Sequence, residues 1–375
     1  MKKKVCIVVA SRANYGRVKC LMTTIAKHEN LELQLILGAS TLLERFGKAI
    51  NCIKADGFKP NKSIYYVVEG ENLSTQAKST GLGIIELASA FEELEPDAVI
   101  TVADRYETMA TAIAATYMNI KLIHLQGGEE SGNIDNRVRH AITQLADYHF
   151  ACSELAAERV SEMRQSNKNV FNFGCPAIDI LTTQDLSINN RIMEKYSGTG
   201  HKMNWEEPYM LIVQHPVTTS YGMGFNQMIQ TLNALLGIKD LQKVVLWPNI
   251  DAGSDDVSKA IRVFREANKG ENIYYHKNFG PDDYARVINN ASCCIGNSSS
   301  FIRECSFLGV PAVIVGDRQE GREHGKNVIF VDYIQEEIEN KIKLQLEKKR
   351  FDPEYIFGKG NSAKLIADKI YDILH

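Results

Sequence analysis

The segment Ala291–Glu304, ASCCIGNSSSFIRE, joins a short apolar run to small polar residues and then to a carboxylate. An apolar run followed by glycine and by helix-starting residues predicts a buried strand that turns directly into a helix. Backbone amides and hydroxyls at a helix start form a site for an anion such as phosphate. An ordinary helix cap needs one such residue, so four in a row, Asn297–Ser300, favour an anion site at this strand end.

The same alternation of apolar runs and amphipathic stretches extends in both directions from this segment. The predicted strands are Lys4–Ala10, Leu31–Leu37, Ser63–Val68, Ala98–Ala103, Lys121–Gln126, Tyr148–Cys152, Asn169–Phe173, Tyr209–Gln214, Lys243–Trp247, Ile273–Tyr275, Ser292–Ile295 and Ala312–Val315. Helical patterns lie between them, including one over Leu43–Asp56, and the polar residues 182–207 interrupt the rhythm as a linker. Strands that alternate with helices indicate βαβ units and parallel sheets.

The expected fold is therefore α/β, with two Rossmann-like domains facing a cleft. We predict domains over residues 1–181 and 208–361, with a terminal helix at 362–375 that packs back toward the first domain.

Composition excludes several classes of function. The chain has 375 residues, a net charge of -3 and 44% hydrophobic residues, so it lacks the basic excess typical of nucleic-acid binding. The sequence contains no run of 18 apolar residues, so we expect no membrane span. Eight scattered cysteines without a C-x-x-C motif favour free thiols in a reducing cytoplasm and no metal site. A G-x-G-x-x-G motif is also missing after the first strand, so we expect no dinucleotide cofactor.

Ligands of open α/β sheets bind beyond the carboxyl ends of strands, and this rule selects the candidate residues of the first half. Arg12 follows the first strand, as either a phosphate ligand or a surface arginine near a helix start. Asp104 and Arg105 follow the fourth strand. Asp104 is either a helix N-cap that forms a capping box with Glu107 or a carboxylate placed for proton transfer.

The fifth strand leads into a loop that turns at Gly127 and Gly128 and carries several carboxylates. Glu129, Glu130 and Asp135 lie close together there in sequence. A solvated acidic loop explains any one of them. Crowded carboxylates, however, raise one another's pKa, which suits general acid or base chemistry.

In the second half, His215 ends a strand, where it either donates to a phosphate, shuttles a proton or has a structural role. Asn249 and Asp251 follow the next strand as ligand contacts or turn residues. Glu304 lies one to two helical turns after the serines, where a carboxylate suits a ribose diol. Arg318 adds a cation after a later strand.

Together these motifs resemble the hydrolysing UDP-N-acetylglucosamine 2-epimerases, a branch of a family with two Rossmann-like domains of the glycosyltransferase-B type. The resemblance spans nearly the whole chain. Its carriers are SRANYG (11–16), ADRYET (103–108), HLQGGEESGNIDNRVRHAIT (124–143), QHPVTT (214–219), PNIDAGSDD (248–256), GNSSSFIRE (296–304) and GDRQEGRE (316–323).

The resemblance implies that UDP-GlcNAc and water become N-acetylmannosamine and UDP, for sialic acid synthesis. A base removes the C2 proton, UDP leaves, and water adds to the resulting 2-acetamidoglucal. The resemblance also implies a cytoplasmic homodimer or homotetramer without a redox cofactor.

The resemblance assigns roles to residues at matching positions. Asp104 and Asp135 match catalytic positions, with Glu129 and His215 as further candidates for proton transfer. The positions that match the surroundings of the diphosphate are Arg12, Arg105, His215, Ser298, Ser299 and Arg318. Glu304 matches the ribose contact, and Asn249 and the segment near Phe279 match the nucleotide and substrate surroundings.

One position departs from the pattern, because many relatives have HIEGGE where this chain has Gln126. An amide cannot exchange a proton near neutral pH. Either a nearby carboxylate does the chemistry, or glutamine serves in a subfamily, or the chain is an inactive nucleotide-sugar binder.

Three other activities also stay open. They are the same chemistry on a UDP- or GDP-linked 2,4-diacetamido-2,4,6-trideoxyhexose, a non-hydrolysing epimerase, and a retaining glycosyltransferase.

Overall fold

The computed structural model describes residues 1–375 and divides them into two compact units. The first unit comprises residues 1–129, 134–183 and 357–375, and the second comprises residues 130–133 and 184–356. Each unit contains one seven-stranded sheet with helices. The predicted α/β class with two Rossmann-like domains is confirmed.

The first unit follows the alternation of strand and helix that its sequence predicts. Its strands are β1 (Lys3–Val9), β2 (Leu31–Gly38), β3 (Lys62–Ile64), β4 (Ala98–Val102), β5 (Lys121–Leu125), β6 (Tyr148–Ala151) and β7 (Val170–Asn172). Its helices before residue 184 are α1 (Arg12–Lys27), α2 (Ile50–Ala55), α3 (Leu73–Leu94), α4 (Tyr106–Tyr117), α5 (Ile134–Leu145), α6 (Glu154–Arg164) and α7 (Pro176–Thr183). The central strand β4, AVITV, is buried along its whole length, as expected of a strand with helices on both faces.

All neighbouring strands of the first sheet are parallel, in the order β3-β2-β1-β4-β5-β6-β7. The chain first builds outward from β1 to β3 and then continues from β4 on the other side of β1. The strand order therefore reverses between β1 and β4. In open α/β sheets a ligand site lies beyond the carboxyl ends of the strands at such a reversal.

The second unit repeats this plan. Its strands are β8 (Thr199–Gly200), β9 (Tyr209–Val213), β10 (Gln242–Leu246), β11 (Ile273–His276), β12 (Cys293–Gly296), β13 (Ala312–Val315) and β14 (Val328–Val331). Its helices are α8 (Ile192–Lys195), α9 (Gly224–Ala234), α10 (Ser254–Ala267), α11 (Pro281–Asn290), α12 (Ser300–Leu308) and α13 (Gln335–Lys348). The order is β14-β13-β12-β9-β10-β11-β8, in which only β8 is antiparallel, so the reversal falls between β9 and β12.

Two predictions for residues 43–68 are wrong. A continuous helix was predicted over Leu43–Asp56. The range instead contains a 3-10 turn, Glu44–Phe46, which is the second after one at Ala39–Leu42, and the short helix α2. Gly47, with a φ of 83°, ends the second turn in a left-handed conformation that an α-helix cannot contain. The strand predicted to reach Val68 ends at Ile64.

A linker was predicted over residues 182–207, but residues 184–207 belong to the second unit. Trp205 anchors this segment, because its side chain is 1% exposed and its ring packs edge-on against Tyr209 at a centroid distance of 5.3 Å. One buried tryptophan supplies a large apolar area to an otherwise polar stretch, which composition alone does not reveal.

The last helix, α14 (Ser362–Leu374), belongs to the first unit, which the chain rejoins at residue 357. Asp179 of α7 holds its first turn, because its carboxylate accepts hydrogen bonds from the amides of Ser362 at 3.0 Å and Ala363 at 2.7 Å. A carboxylate at a helix N-terminus satisfies amides that lack intrahelical partners. None of the helices combines the length and the apolar character needed to cross a membrane.

Candidate functional site

In the first unit, the predicted residues after β1 and β4 flank the reversal of strand order. Arg12 is the first residue of α1, whose N-cap is Ser11, and the Ser11 hydroxyl accepts from the amide of Asn14 at 3.1 Å. Asp104 and Arg105 connect β4 to α4. Because β1 and β4 pair directly, the sheet brings these two strand ends together.

Asp104 is not the N-cap of α4. Arg105 occupies that position, and no side chain caps the helix. The Asp104 carboxylate instead forms an ion pair with Arg139 of α5, in which Nε and Nη2 both donate to Oδ2, the former at 3.0 Å. Asp104 is 6% exposed and Arg139 is 1% exposed. A neighbouring guanidinium favours the ionised form of a carboxylate, so this pair holds Asp104 as a buried charge.

Arg139 also connects Asp104 to the loop after β5. Its Nη1 donates to the backbone carbonyl of Glu129, and also to Oδ1 of Asn136 at 2.8 Å. The same guanidinium therefore fixes the strand end after β4, the acidic loop and the start of α5. Asp135 lies in the first turn of α5, and Glu130 belongs to the segment grouped with the second unit.

Glu107 is fully buried and forms an ion pair with Arg105 at 3.0 Å. The capping-box account of Glu107 is therefore wrong, because its carboxylate neutralises the neighbouring arginine. This pairing fixes Arg105 directly after β4.

The loop after β5 starts with a left-handed residue, Gln126, with a φ of 64°. Ala103 occupies the equivalent place after β4 with a φ of 67°. Such a conformation in a residue other than glycine costs about 1–3 kcal/mol and clusters at functional sites. The Gln126 amide nitrogen donates to Sγ of Cys175 at 3.1 Å, whereas its buried Oε1 has no hydrogen-bond partner.

In the second unit, Asn297 links the two strand ends at the reversal. Its Oδ1 accepts from the amide of His215 at 2.7 Å, and its Nδ2 donates to the carbonyl of His215 at 2.9 Å. The preceding Gly296 has a φ of 132°, and a Cβ there would lie 2.1 Å from the carbonyl oxygen of Val213. Only glycine permits this close approach of β9 and β12.

Arg318, which follows β13, reaches the same strand ends. Its Nη1 donates to the backbone carbonyl of Asn297 at 3.1 Å, and Gln319 Nε2 donates to the same oxygen at 2.9 Å. Arg318 Nη2 lies 3.9 Å from Oδ2 of Asp251. The structure therefore brings Arg318 to the loop that carries Ser298 and Ser299.

His215 and Asn249 are also in contact. The amide of Asn249 donates to Nδ1 of His215 at 3.2 Å, so the proton of the neutral imidazole is on Nε2. Asn249 Nδ2 donates to Oδ2 of Asp251 at 2.5 Å. The ring therefore has a fixed orientation with an N–H donor on Nε2.

The serines lie where the sequence predicts, at the start of α12. Ser299 is the N-cap, without a capping hydrogen bond from its own side chain. The Ser298 hydroxyl lies 2.8 Å from that of Ser300, and the Tyr284 hydroxyl of α11 lies 2.7 Å from Ser300. Glu304 follows on α12 and carries a charge that contributes to the raised pKa of Tyr284, after burial of the hydroxyl as the main cause.

Phe279 lies in an aromatic cluster of the second unit. Its ring is 1% exposed and packs against His276 at a centroid distance of 4.5 Å and against Tyr196 at 5.0 Å. The side chain therefore supports the loop after β11 from within.

The sequence analysis did not single out Arg139, Tyr284 and Gln319. Arg139 and Gln319 lie within the motifs 124–143 and 316–323, and Tyr284 lies outside all of them. The hydrogen-bond partners of all three include residues distant in sequence, which no local pattern indicates.

The fold and these polar strand ends define the class of the protein, an α/β protein of the glycosyltransferase-B type. Solved structures with the same fold include UDP-GlcNAc 2-epimerase from Neisseria meningitidis bound to UDP-GlcNAc, with a TM-score of 0.80 and 17% identity over 98% of this chain and 100% of that one. The Methanocaldococcus jannaschii UDP-GlcNAc 2-epimerase in complex with UDP-GlcNAc and UDP has a TM-score of 0.76 and 17% identity over 98% and 99% of the two chains.

The sequence profile of the UDP-N-acetylglucosamine 2-epimerase family matches residues 23–371, and the chain belongs to that family. The UDP-N,N'-diacetylbacillosamine 2-epimerase (hydrolyzing) of Legionella pneumophila is 29% identical over 97% of this chain and 94% of its own length. The GDP/UDP-N,N'-diacetylbacillosamine 2-epimerase (hydrolyzing) of Campylobacter jejuni is 30% identical over 88% of this chain and 84% of its own.

Proposed function

We propose that this chain is a hydrolysing nucleotide-sugar 2-epimerase. It converts UDP-GlcNAc and water to N-acetylmannosamine and UDP, for nonulosonate synthesis of the sialic acid type. Removal of the C2 proton and departure of UDP give 2-acetamidoglucal, and water then adds across the double bond with opposite configuration at C2. Family membership supports the epimerase chemistry. The hydrolytic outcome is supported by two relatives, at 29% and 30% identity, whose names include "hydrolyzing".

The observation that carries the proposal is the set of polar groups at the reversal of the second sheet. His215, Ser298 and Arg318 lie on or beside strand ends that Asn297 joins by hydrogen bonds. An N–H donor on His215, a serine hydroxyl and a guanidinium suit the oxygens of a diphosphate. We assign the UDP diphosphate to this edge, with Glu304 for the ribose hydroxyls and Asn249 for the remaining nucleotide contacts.

The proposal assigns the proton transfers to the first unit. Asp104, held as an ionised carboxylate by Arg139, is our candidate for the C2 base, and Glu129 and Asp135 are candidates for the acid. Arg12 and Arg105, which the resemblance matches to diphosphate positions, are further candidates for contacts with phosphate oxygens.

Gln126 acts as a hydrogen-bonding residue in this scheme. Its amide cannot transfer a proton, and its buried Oε1 is an acceptor without a partner in the protein. We propose that a donor on the substrate hydrogen-bonds to this oxygen.

A UDP- or GDP-linked 2,4-diacetamido-2,4,6-trideoxyhexose is the second candidate substrate, supported by the names of the two relatives. The two candidates differ at C4 and C6 of the sugar. We also propose that the protein works as a cytoplasmic homodimer or homotetramer. Its eight free cysteines fit a reducing compartment, and sedimentation of the purified protein tests its assembly.

Incubation of the purified protein with each nucleotide sugar, followed by separation of the products, tests the proposal. We expect free UDP and a free 2-acetamido sugar from at least one substrate, without any acceptor. Release of an epimerised sugar that is still linked to UDP would contradict the hydrolytic step. Binding of UDP without turnover of either substrate would indicate an inactive nucleotide-sugar binder.

A further inference from the structure

Three hydroxyl groups form a chain at the start of α12. The Tyr284 hydroxyl lies 2.7 Å from Ser300 Oγ, and Ser300 Oγ lies 2.8 Å from Ser298 Oγ. The tyrosine comes from α11, Ser298 comes from the turn that follows β12, and Ser300 is the first residue of α12. Both serines are buried, and part of the tyrosine ring is exposed while its hydroxyl lies among the serines.

The direction of these hydrogen bonds follows from counting protons. Each hydroxyl carries one proton, and two hydrogen bonds among three hydroxyls use two protons and leave one. If Ser298 donates its proton to an anion, its oxygen can accept from Ser300, and Ser300 in turn accepts from Tyr284, so every proton of the chain has an acceptor. The opposite direction would use the Ser298 proton on Ser300 and leave none for the anion. With an anion bound, the favoured direction is therefore Tyr284 to Ser300 to Ser298.

Burial of the hydroxyl, with a contribution from the charge of Glu304, raises the pKa of Tyr284 well above its ordinary value. The tyrosine therefore keeps its proton throughout the physiological range and remains a hydrogen-bond donor.

We propose that Tyr284 and Ser300 are positioning residues that orient the Ser298 hydroxyl as a donor to the diphosphate. Their hydrogen bonds satisfy the Ser298 oxygen as an acceptor and direct its proton outward. An outward proton is the arrangement that an anion requires, because a phosphate oxygen is only an acceptor. The inference rests on the proposed nucleotide site, and it adds Tyr284, which lies outside the motifs that indicated that site, and a role for the Ser300 hydroxyl.

Isothermal titration with UDP and with uridine tests this assignment in the full-length protein. Tyr284→Phe removes only the first donor of the chain, and we expect UDP affinity to fall about tenfold, comparable to the loss of one charge-assisted hydrogen bond. Uridine lacks the phosphates, so its affinity should not change. In turnover, KM for the nucleotide sugar should rise more than kcat falls.

Tyr275→Phe is the matched control. Tyr275 is a buried tyrosine of the same unit whose hydroxyl has no hydrogen-bond partner, so its removal should leave UDP affinity unchanged. Ser300→Ala interrupts the same chain at a second point and should reproduce the effect of Tyr284→Phe. Thermal unfolding of each variant identifies any general loss of stability.

The decisive comparison is the double variant Tyr284→Phe/Ser298→Ala. If the tyrosine acts through Ser298, its substitution should have no further effect on UDP affinity once that serine is gone. An equal loss in both backgrounds, or an equal loss for uridine, would overturn the inference and leave the nucleotide site intact. Failure of the unsubstituted protein to bind UDP would overturn the proposed site itself, and the inference with it.

Discussion

The ion pair between Arg139 and Asp104 gives a stability prediction for Arg139→Met. Methionine keeps the apolar stem but leaves the Asp104 carboxylate, 6% exposed, without its guanidinium. Removal of one partner of a buried ion pair costs about 3–5 kcal/mol, since the remaining buried charge loses the partner that stabilised it. The hydrogen bonds to the Glu129 carbonyl and to Asn136 are lost as well, so we expect the upper part of this range.

Urea unfolding followed by far-UV circular dichroism measures this change. The two tryptophans, Trp205 and Trp247, both lie in the second unit, so parallel fluorescence measurements report on that unit. Arg164→Met is the matched control, because Arg164 is an exposed arginine of the first unit that donates to the carbonyl of Gln144 at 2.8 Å. This control should change the free energy of unfolding by no more than about 0.5 kcal/mol.

The double variant Arg139→Met/Asp104→Asn separates the charge from the packing. The second substitution removes the carboxylate that has lost its pairing with Arg139, so we expect it to recover about 1–3 kcal/mol of the loss. A cost below about 1 kcal/mol for Arg139→Met would refute the reasoning, because that range is typical of exposed pairs. A double variant that is less stable than Arg139→Met alone would also refute it.

Three further predictions concern pH, the strand ends and the division of roles. Burial lowers the pKa of His124 to about 4 and that of His149 to about 3. Around and below pH 6.5 the folded state therefore binds fewer protons than the unfolded state. The contribution of the two neutral histidines to the free energy of unfolding is fully present above that pH and is lost as the pH decreases. We expect a loss of about 2 kcal/mol per histidine at pH 5, measured by urea unfolding, and a smaller loss in His149→Gln. Asn297→Ala removes both hydrogen bonds to His215 and should weaken UDP binding about tenfold or more in calorimetry, with unchanged affinity contradicting its role. Asp104→Asn should abolish turnover with UDP affinity largely kept, whereas Glu304→Ala should weaken binding; normal turnover of Asp104→Asn would remove that residue from the mechanism.

The sequence predicted most strands of the fold because their apolar runs are buried on both faces. β4 and β13 contain almost only apolar residues and are buried throughout. Strand β14 was not predicted, because its four residues, VIFV, lie in a stretch without a clear helical pattern on the amino-terminal side. Residues 184–207 were assigned to a linker, because their polar composition conceals the single anchor Trp205.

The strand-end rule located the candidate residues, but it did not identify their partners. Asp104 does not cap α4, which was one of its two expected roles. Its ion pair with Arg139, 35 residues later in the chain, was not predicted. The Tyr284 hydroxyl reaches Ser300 from another helix, 16 residues away in sequence. Such contacts depend on how helices pack on the sheet, which no local pattern of residues specifies.

The central claim is that the chain breaks the C2–H bond and the bond to UDP in one catalytic cycle. Proton NMR of the purified protein with UDP-GlcNAc in heavy water tests this claim most directly, and a parallel sample with the diacetamido substrate tests the second candidate. We predict a free 2-acetamido sugar with deuterium at C2, together with an equal amount of UDP. A released sugar that keeps its original C2 proton would contradict the account.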